Sequence, residues 1–265
     1  MVHEILSLLP PGHPWGQHII HLNTVDSTNT YAKKLAQQGA PSGTVVIADE
    51  QTGGRGRLGR SFSSPAGLGL YLTVILRPNC PPQQLMHLTC AVGLAASDAV
   101  QSAAGIIPGI KWTNDLVVGA QKLGGILTEL SIDAASKLVD YAIVGIGINC
   151  CQQSKDFPPE IRDIATSLCL CDRQTDRITL AVALIEKLYQ MDASLLHSKA
   201  DMMDRFKGRC VTIGKEISIL RGDQVRHGKA LDIDPDGALV VQLPDGSQED
   251  IASGEVSIRG MYGYL

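Results

Sequence analysis

The sequence predicts an α+β fold: helices laid on a mixed or antiparallel sheet over residues 1–207, then a small all-β unit at residues 208–265. Three observations carry that expectation. Apolar runs of strand length occur in hairpin-like pairs with helices between them, not in the strict strand–helix alternation of a doubly wound sheet. Two long stretches have helical apolar spacing. After about Phe206 the chain turns to short β-rich runs punctuated by Asp236–Gly237 and Asp245–Gly246, dipeptides that favour tight hairpin turns.

The individual elements follow from local residue choice. "QHIIHLNTV" alternates into β-branched residues and predicts a strand. "DSTNTYAKKLAQQGA" predicts a helix capped by Asp26, Ser27 or Thr28, with Tyr31, Ala32 and Leu35 among its apolar positions and Gly39 at its end. "TVVIADE" and "GLYLTVIL" predict strands. "PPQQLMHLTCAVGLAASDAVQSAAG" opens on proline, keeps helical spacing and closes on glycine, so it predicts a long helix. "GIKW" is short and extended, and "DLVVGAQKLGGILTEL" predicts a hairpin turning at Gly119–Ala120–Gln121. "VDYAIVGIGINC" is an apolar strand, residues 151–177 predict a loop with a partial helix, and "TLAVALIEKLYQMDASLLH" is the second long helix. In the β unit, "CVTIG", "EISIL", "HGKALDI", "ALVVQL" and "EVSIRG" predict the strands of a small barrel.

Composition narrows the function classes. A chain of 265 residues that is 44% hydrophobic and 19% charged can bury a real core. Its net charge of −4 argues against broad nucleic-acid binding, which normally goes with a basic excess. No apolar run has the length of a membrane span, and the start "MVHEILSLLPPGHPW" lacks the cationic opening of a secretion signal. The 7 cysteines are odd in number with no CxxC pair, so reduced thiols in the cytoplasm are expected. Cys169, Cys171 and Asp172 lie close in sequence, but no second ligand pair at zinc spacing accompanies them.

Five short segments carry potential chemistry. In "EQTGGRGRLGR", Gly53, Gly54, Gly56 and Gly59 permit close backbone approach to an anion, and Arg55, Arg57 and Arg60 add forked cationic donors. The segment joins two strands and lacks a GKS or GKT ending, so it is not the phosphate loop of nucleotide hydrolases. Taken alone, a solvated turn explains it as well as an anion cradle does. "GIKWTNDL" and "KLGGILTEL" place Lys111, Asn114, Asp115 and Lys122 on or beside the expected hairpin, although a solvated face is the ordinary setting of a strand lysine. Gly124–Gly125 within a strand marks close approach of a ligand or another backbone. "GIGIN" lacks the third glycine and following helix of a dinucleotide fingerprint; it ends at Asn149, a residue able to read a base edge. "DSTN" offers small hydroxyls at a helix start, for capping or for holding a polar ligand.

In this order, "DSTN", "EQTGGRGRLGRSF", "KWTNDL", "KLGGIL" and "GIGIN", followed by a β-rich end, resemble the biotin protein ligases from about residue 18 onward. The combination is specific where no single piece is. The resemblance implies a catalytic domain related to class II aminoacyl-tRNA synthetases plus an SH3-like β-barrel. It implies two reactions: biotin and MgATP form biotinyl-5′-adenylate, which then acylates one lysine of a biotin carboxyl carrier domain. By the same resemblance, Ser27, Thr28, Asn29 and Gln51 hold the ureido and ring end of biotin, with Gly54, Arg55, Gly56, Arg57, Lys122 and Gly124 completing the biotin site. Arg55, Arg57, Lys111, Asn114, Lys122 and Asn149 bind ATP or the adenylate, with Asn149 toward adenine. Lys122, Arg57, Lys111 and Asp115 form the catalytic set, and Asp115 is the candidate for Mg²⁺ or for orienting the incoming lysine.

Adenylation brings two anions together, which at 4 Å and an effective dielectric near 20 repel by about 4 kcal/mol, so clustered cations are what the chemistry requires. Thr113 stands where the family commonly has proline and Phe62 where it has tryptophan; Phe157 is the aromatic candidate to cover adenine. "DSTN" begins at Asp26, which leaves no space ahead of it for a DNA-binding domain, so a stand-alone ligase without DNA binding is expected, a homodimer being compatible. A lipoate or octanoate ligase would share the catalytic fold, but the glycine–arginine loop and the β-rich end favour biotin. A nucleic-acid binder using the basic loop is disfavoured by the acidic balance. The glycine content predicts a loop that is mobile when empty and closes on ligand. Arg60 receives no role.

Overall fold

The computed structural model describes residues 1–173, 175–252, 257–260 and 264. A short helix α1 (Val2–Leu8) precedes strand β1 (Ile19–Val25), helix α2 (Thr28–Gln37) and strand β2 (Thr44–Gln51). Then come β3 (Gly69–Leu76), α3 (Leu88–Ala104), β4 (Gly109–Lys111), β5 (Asp115–Val118), β6 (Gln121–Ile132) and β7 (Val139–Asn149). These strands make one seven-stranded sheet in the order β1-β2-β3-β7-β6-β5-β4. Only the β1–β2 pair, linked by α2, is parallel, so the sheet is mixed. The expected hairpin turns at Gly119–Ala120, between β5 and β6.

Strand alternation decides what each face of the sheet does. On β7, Val144, Ile146 and Ile148 enter the main core with Ala91, Val92 and Ala95 of α3 and with Leu180, Leu184 and Leu188 of α4 (Arg177–Ser194). Tyr141 and Ile143 point the other way, to a smaller core with Ala32 and Ala36 of α2, Val46 and Ile75. Beyond the N-terminus of α2 that second face continues as Gly145, Gly147 and Asn149. Side chains that would have filled the space are missing there, and the functional cavity takes their place.

Helix α5 (Lys199–Arg209) leads to β8 (Glu216–Arg221), β9 (Gln224–Ile233), β10 (Leu239–Gln242), β11 (Gln248–Ile251) and β12 (Ser257–Gly260). They form an antiparallel sheet in the order β11-β10-β9-β8-β12. Gly237 and Gly246 take φ of +87° and +86° at the two expected hairpin turns. Residues 255 and 256 of the "EVSIRG" run lie outside the described residues.

Several local expectations are corrected. Helices α1 and α5 escape sequence periodicity: only Ile5 is buried on α1, and α5 buries Met202, Met203 and Phe206 among charged neighbours. "CVTIG" is not a strand of the barrel; Val211 N–H donates to Ile110 O at 3.0 Å, so this segment pairs with β4 at the edge of the large sheet. Strand β11 carries the polar sequence "QEDI", which gives no apolar signal. Ser27 is the residue before α2, but no side chain of its own caps the helix. Gln51 does that work from β2: its Oε1 accepts from Thr28 N at 2.9 Å.

Trp112 stitches the two sheets together. Its backbone N–H donates to Thr212 Oγ1 and its Nε1–H donates to Gly237 O, both at 2.9 Å and both buried. Thr212→Val keeps the shape but leaves the Trp112 amide without an acceptor. The expected cost is about 1–3 kcal/mol, read as a lowered chemical-denaturation midpoint. An unchanged midpoint would show that the amide finds another partner.

Candidate functional site

A cavity of about 250 Å³ opens on the β7 face beyond α2. Ser27, Thr28, Asn29, Gln51, Arg55, Gly56, Arg57, Lys111, Asn114, Asp115, Lys122 and Asn149, scattered over more than 120 positions of sequence, all line it. Gly54 and Gly124 lie just behind the wall. A Cβ on Gly54 would sit 2.3 Å from Phe62 O, and one on Gly124 would sit 2.5 Å from Gly147 O, so the close approach expected at Gly124 is to another backbone.

One end is neutral and densely hydrogen-bonded. Gln51 Oε1 accepts from Thr28 N and from Thr28 Oγ1 at 2.9 and 3.0 Å. Gln51 Nε2 donates to Ser64 Oγ at 2.8 Å, and Ser64 Oγ donates to Phe62 O at 3.0 Å. Thr73 is fully buried, and its Oγ1 lies 2.8 Å from both Thr28 Oγ1 and Asn29 Oδ1. Asn29 Nδ2 donates to Leu127 O and to Glu129 Oε2 at 3.2 and 3.1 Å. The glycines of "GIGIN" make this arrangement physically possible. A Cβ on Gly145 would lie 1.9 Å from Asn29 Oδ1, and one on Gly147 would lie 2.5 Å from the Phe62 ring.

The opposite end is cationic. Lys122 Nζ contacts Asp115 Oδ1 at 2.6 Å. Lys111 is buried, its Nζ 3.7 Å from the centre of the Tyr264 ring and hydrogen-bonded to the Tyr264 carbonyl. Tyr264 Oη donates to Asp115 Oδ2 at 2.5 Å. Arg57 reaches the same end, with Nη1 donating to Asn114 Oδ1 at 3.0 Å, while Asn114 Nδ2 donates to Ile126 O at 3.1 Å. Burial alone would push the Asp115 carboxyl up. The Lys122 ammonium, the Tyr264 phenol and Lys111 outweigh it and hold Asp115 below the ordinary carboxylate range, ionised at neutral pH. Burial lowers the Arg57 pKa, with Asp115 opposing and Arg60 adding to the fall; an arginine starts high enough to stay charged.

The glycine–arginine segment bridges the two ends as a small closed hairpin. Gly56 N donates to Arg60 O at 2.7 Å and Phe62 N to Gly54 O at 2.9 Å, with Leu58 and Gly59 in the left-handed region at the tip. Arg60 therefore closes the loop through its backbone. At the far wall, Asn149 Nδ2 donates to Thr166 O at 2.9 Å and its Oδ1 accepts from Gln152 Nε2 at 3.2 Å. Asn149 thus ties down the segment after β7, which contributes Phe157, Ile161, Ile164 and Ala165 to the wall.

Asp115 is the one carboxylate among the described residues lining the cavity, and both of its oxygens are engaged. No group of three or more metal-ligating side chains exists among the described residues. The donor set suits a cation that arrives already bound to phosphates, not one caged by protein. Sequence reading overlooked Thr73, Ser64, Glu129 and Tyr264. Thr73 had a signal, a lone hydroxyl in the otherwise apolar run "GLYLTVIL"; Tyr264 had none.

Residues 22–149 match the biotin/lipoate A/B protein ligase family, and residues 212–259 match the biotin protein ligase C terminal domain. The bifunctional ligase/repressor BirA of Bacillus spizizenii is 38% identical over 235 residues, covering 87% of this chain and 71% of that protein. The biotin–[acetyl-CoA-carboxylase] ligase of Mycobacterium tuberculosis is 31% identical over 256 residues, covering 94% of this chain and 91% of that protein. The structure of the Aquifex aeolicus biotin protein ligase in complex with biotin and ATP superposes with a TM-score of 0.78 at 31% identity, covering 92% of this chain and 99% of that one.

Gly145→Ala overpacks the point where Asn29 rests on the sheet. The expected loss is about 1–3 kcal/mol of stability, seen as a lower thermal midpoint. A wild-type midpoint would mean that Asn29 can move aside freely.

Proposed function

This chain belongs to the biotin protein ligase family, and on that footing we propose that its cavity joins biotin to ATP and hands the biotinyl group to a lysine of a biotin carboxyl carrier domain. The single observation that carries the reading is the polarity of the cavity: a neutral hydrogen-bonding end, a cationic end, and a glycine–arginine hairpin spanning both.

In the first step a carboxylate oxygen of biotin bonds to the α-phosphorus of ATP. The bond from that phosphorus to the bridging oxygen breaks, and pyrophosphate leaves with the electron pair. The ureido group of biotin is neutral and carries both donors and acceptors, which suits Ser27, Thr28, Asn29 and Gln51. Its carboxylate then lies toward Lys122, which exchanges part of its contact with Asp115 for the biotin carboxylate and phosphate oxygens. Arg55, Arg57, Lys111 and Asn114 take the remaining phosphate oxygens, and fixed cations in a partly buried site stabilise charge developing during transfer. Gly54, Gly56 and Gly124 let the walls come close enough for these contacts. Asn149 holds the segment bearing Phe157, where the adenine would lie. Were magnesium to accompany ATP, Asp115 would be the residue to hold it beside the phosphates, where it would offset their charge.

In the second step the carrier amine nitrogen bonds to the acyl carbon, the acyl–oxygen bond breaks, and AMP leaves. The amine must first lose a proton. The gap between a lysine near 10.4 and an ordinary carboxyl near 3.9 corresponds to about 9 kcal/mol, and Asp115 lies lower still. Asp115 therefore orients the amine and stabilises positive charge on it, while the proton passes on to solvent or to the departing phosphate. All seven cysteines are free thiols, which accords with a cytoplasmic enzyme, and no helix among the described residues is long and apolar enough to cross a membrane. The net charge of −4 favours a protein partner over DNA. A homodimer remains compatible with this reading.

Wild-type protein should catalyse ATP–pyrophosphate exchange that requires biotin and is not supported by lipoate. Lys122→Ala should lower that exchange by about 10²–10³-fold with the fold intact. Near-wild-type turnover would remove Lys122 from the reaction, and exchange driven by lipoate would favour the sister activity. Asp115→Asn should slow transfer from preformed adenylate by about 10–100-fold, the value of a charge-assisted contact. An unchanged single-turnover transfer rate would exclude it from that step.

A further inference from the structure

Glu129 lies outside the cavity wall but touches two of its parts. Its Oε1 is 3.3 Å from Arg55 Nη1 in the glycine–arginine hairpin, and its Oε2 accepts from Asn29 Nδ2 at 3.1 Å. It borders a separate groove of about 370 Å³ shared with residues 55–60. From Asn29 a line of close polar contacts continues through Thr73, Thr28, Gln51 and Ser64 to the carbonyl of Phe62, the two threonine hydroxyl protons being shared among three oxygen–oxygen contacts. One chain of polar contacts therefore begins at Arg55, crosses the floor of the neutral end, and returns to the far base of the same hairpin.

We propose that Glu129 is a positioning residue: it fixes the Asn29 carboxamide for ligand and holds Arg55 closed over the cavity, so that filling the neutral end and closing the hairpin favour each other. This rests on the ligase reading. The coupling has a plain physical source. Asn29 can turn its carboxamide only by losing Glu129, Leu127 O and Thr73 together, and a ligand that orders Asn29 also orders the carboxylate that Arg55 needs. Glu129 is 23% exposed and the Arg55 side chain 47%, so the ion pair is a modest latch, strong enough to bias the loop and weak enough to open for ligand exchange.

Two variants separate the contacts. Glu129→Gln keeps an acceptor for Asn29 and loses the charge for Arg55; Glu129→Ala loses both. The readouts are trypsin cleavage after Arg55, Arg57 and Arg60 with and without biotin, and kcat and KM for biotin in ATP–pyrophosphate exchange. Biotin should slow cleavage in the wild type. Glu129→Gln should speed cleavage of the biotin-bound loop and raise KM for biotin, each by about 2–5-fold, because closure and binding are linked. Glu129→Ala should speed cleavage likewise and raise KM for biotin further, by about 5–10-fold, with kcat near wild type. Wild-type cleavage and KM in both variants would overturn the inference, as would a fall in kcat with KM and cleavage unchanged. Absence of biotin-dependent exchange in the wild type would instead overturn the ligase reading.

Discussion

The carboxylate of Asp115 is the fixed point of the cationic end. Lys122 bonds to one of its oxygens, Tyr264 to the other, and the charges of Lys111 and Arg57 are felt by it or feel it. Cations held close in a partly buried space repel each other; a pair of unit charges at 4 Å is worth about 4 kcal/mol at an effective dielectric near 20. Asp115 offsets part of that repulsion, and the face of the Tyr264 ring does the same for Lys111. One carboxylate against several cations leaves the pocket positive. That residual charge suits an anionic ligand, which cations already held in place can meet with little reorganisation.

The neutral end depends on a different constraint, the alternation of β7. The residues Tyr141, Ile143, Gly145, Gly147 and Asn149 share one face of the sheet. The first two are large and support α2; the glycines then let Asn29 and Phe62 descend onto the backbone. The floor of the cavity is thus peptide, with side chains arriving from the sides. The buried hydroxyl of Thr73 in the middle of this face is tolerable only because Thr28 and Asn29 both reach it. Packing, polar satisfaction and ligand space are solved by the same few positions.

Much of this was legible in the sequence because it rests on short-range rules. The runs "GLYLTVIL" and "TVVIADE" are strands with nearly the bounds their β-branched content suggests, and both Asp–Gly turns fall where expected. The motif residues on α2, β2, the hairpin, β5, β6 and β7 do converge on one cavity, which only their combination could suggest. What stayed hidden depends on distant partners. Helix α5 is amphipathic only against α3, β4 and β9, and "CVTIG" has the composition of a barrel strand but pairs with Ile110. The capping of α2 by Gln51, and the reach of Tyr264 to Asp115, span 23 and 149 positions and leave no trace in local pattern.

The alternation of glycine and arginine between positions 53 and 60 has its explanation in this two-ended cavity. A flexible cationic tail would not need the internal bonds from Gly56 to Arg60 and from Phe62 to Gly54 that make the segment a defined hairpin. Within that frame, successive arginines diverge: Arg55 leans toward Glu129 and the neutral end, while Arg57 leans to Asn114 and the cationic end. A single hairpin therefore reaches both ends of the cavity. Leu58 and Gly59 form the left-handed tip, Gly54 permits the tight approach to Phe62, and the arginines supply a grip at each end. Two reactants of different polarity have to be held side by side and shielded from water, and a single hairpin with two differently directed cations suits that requirement.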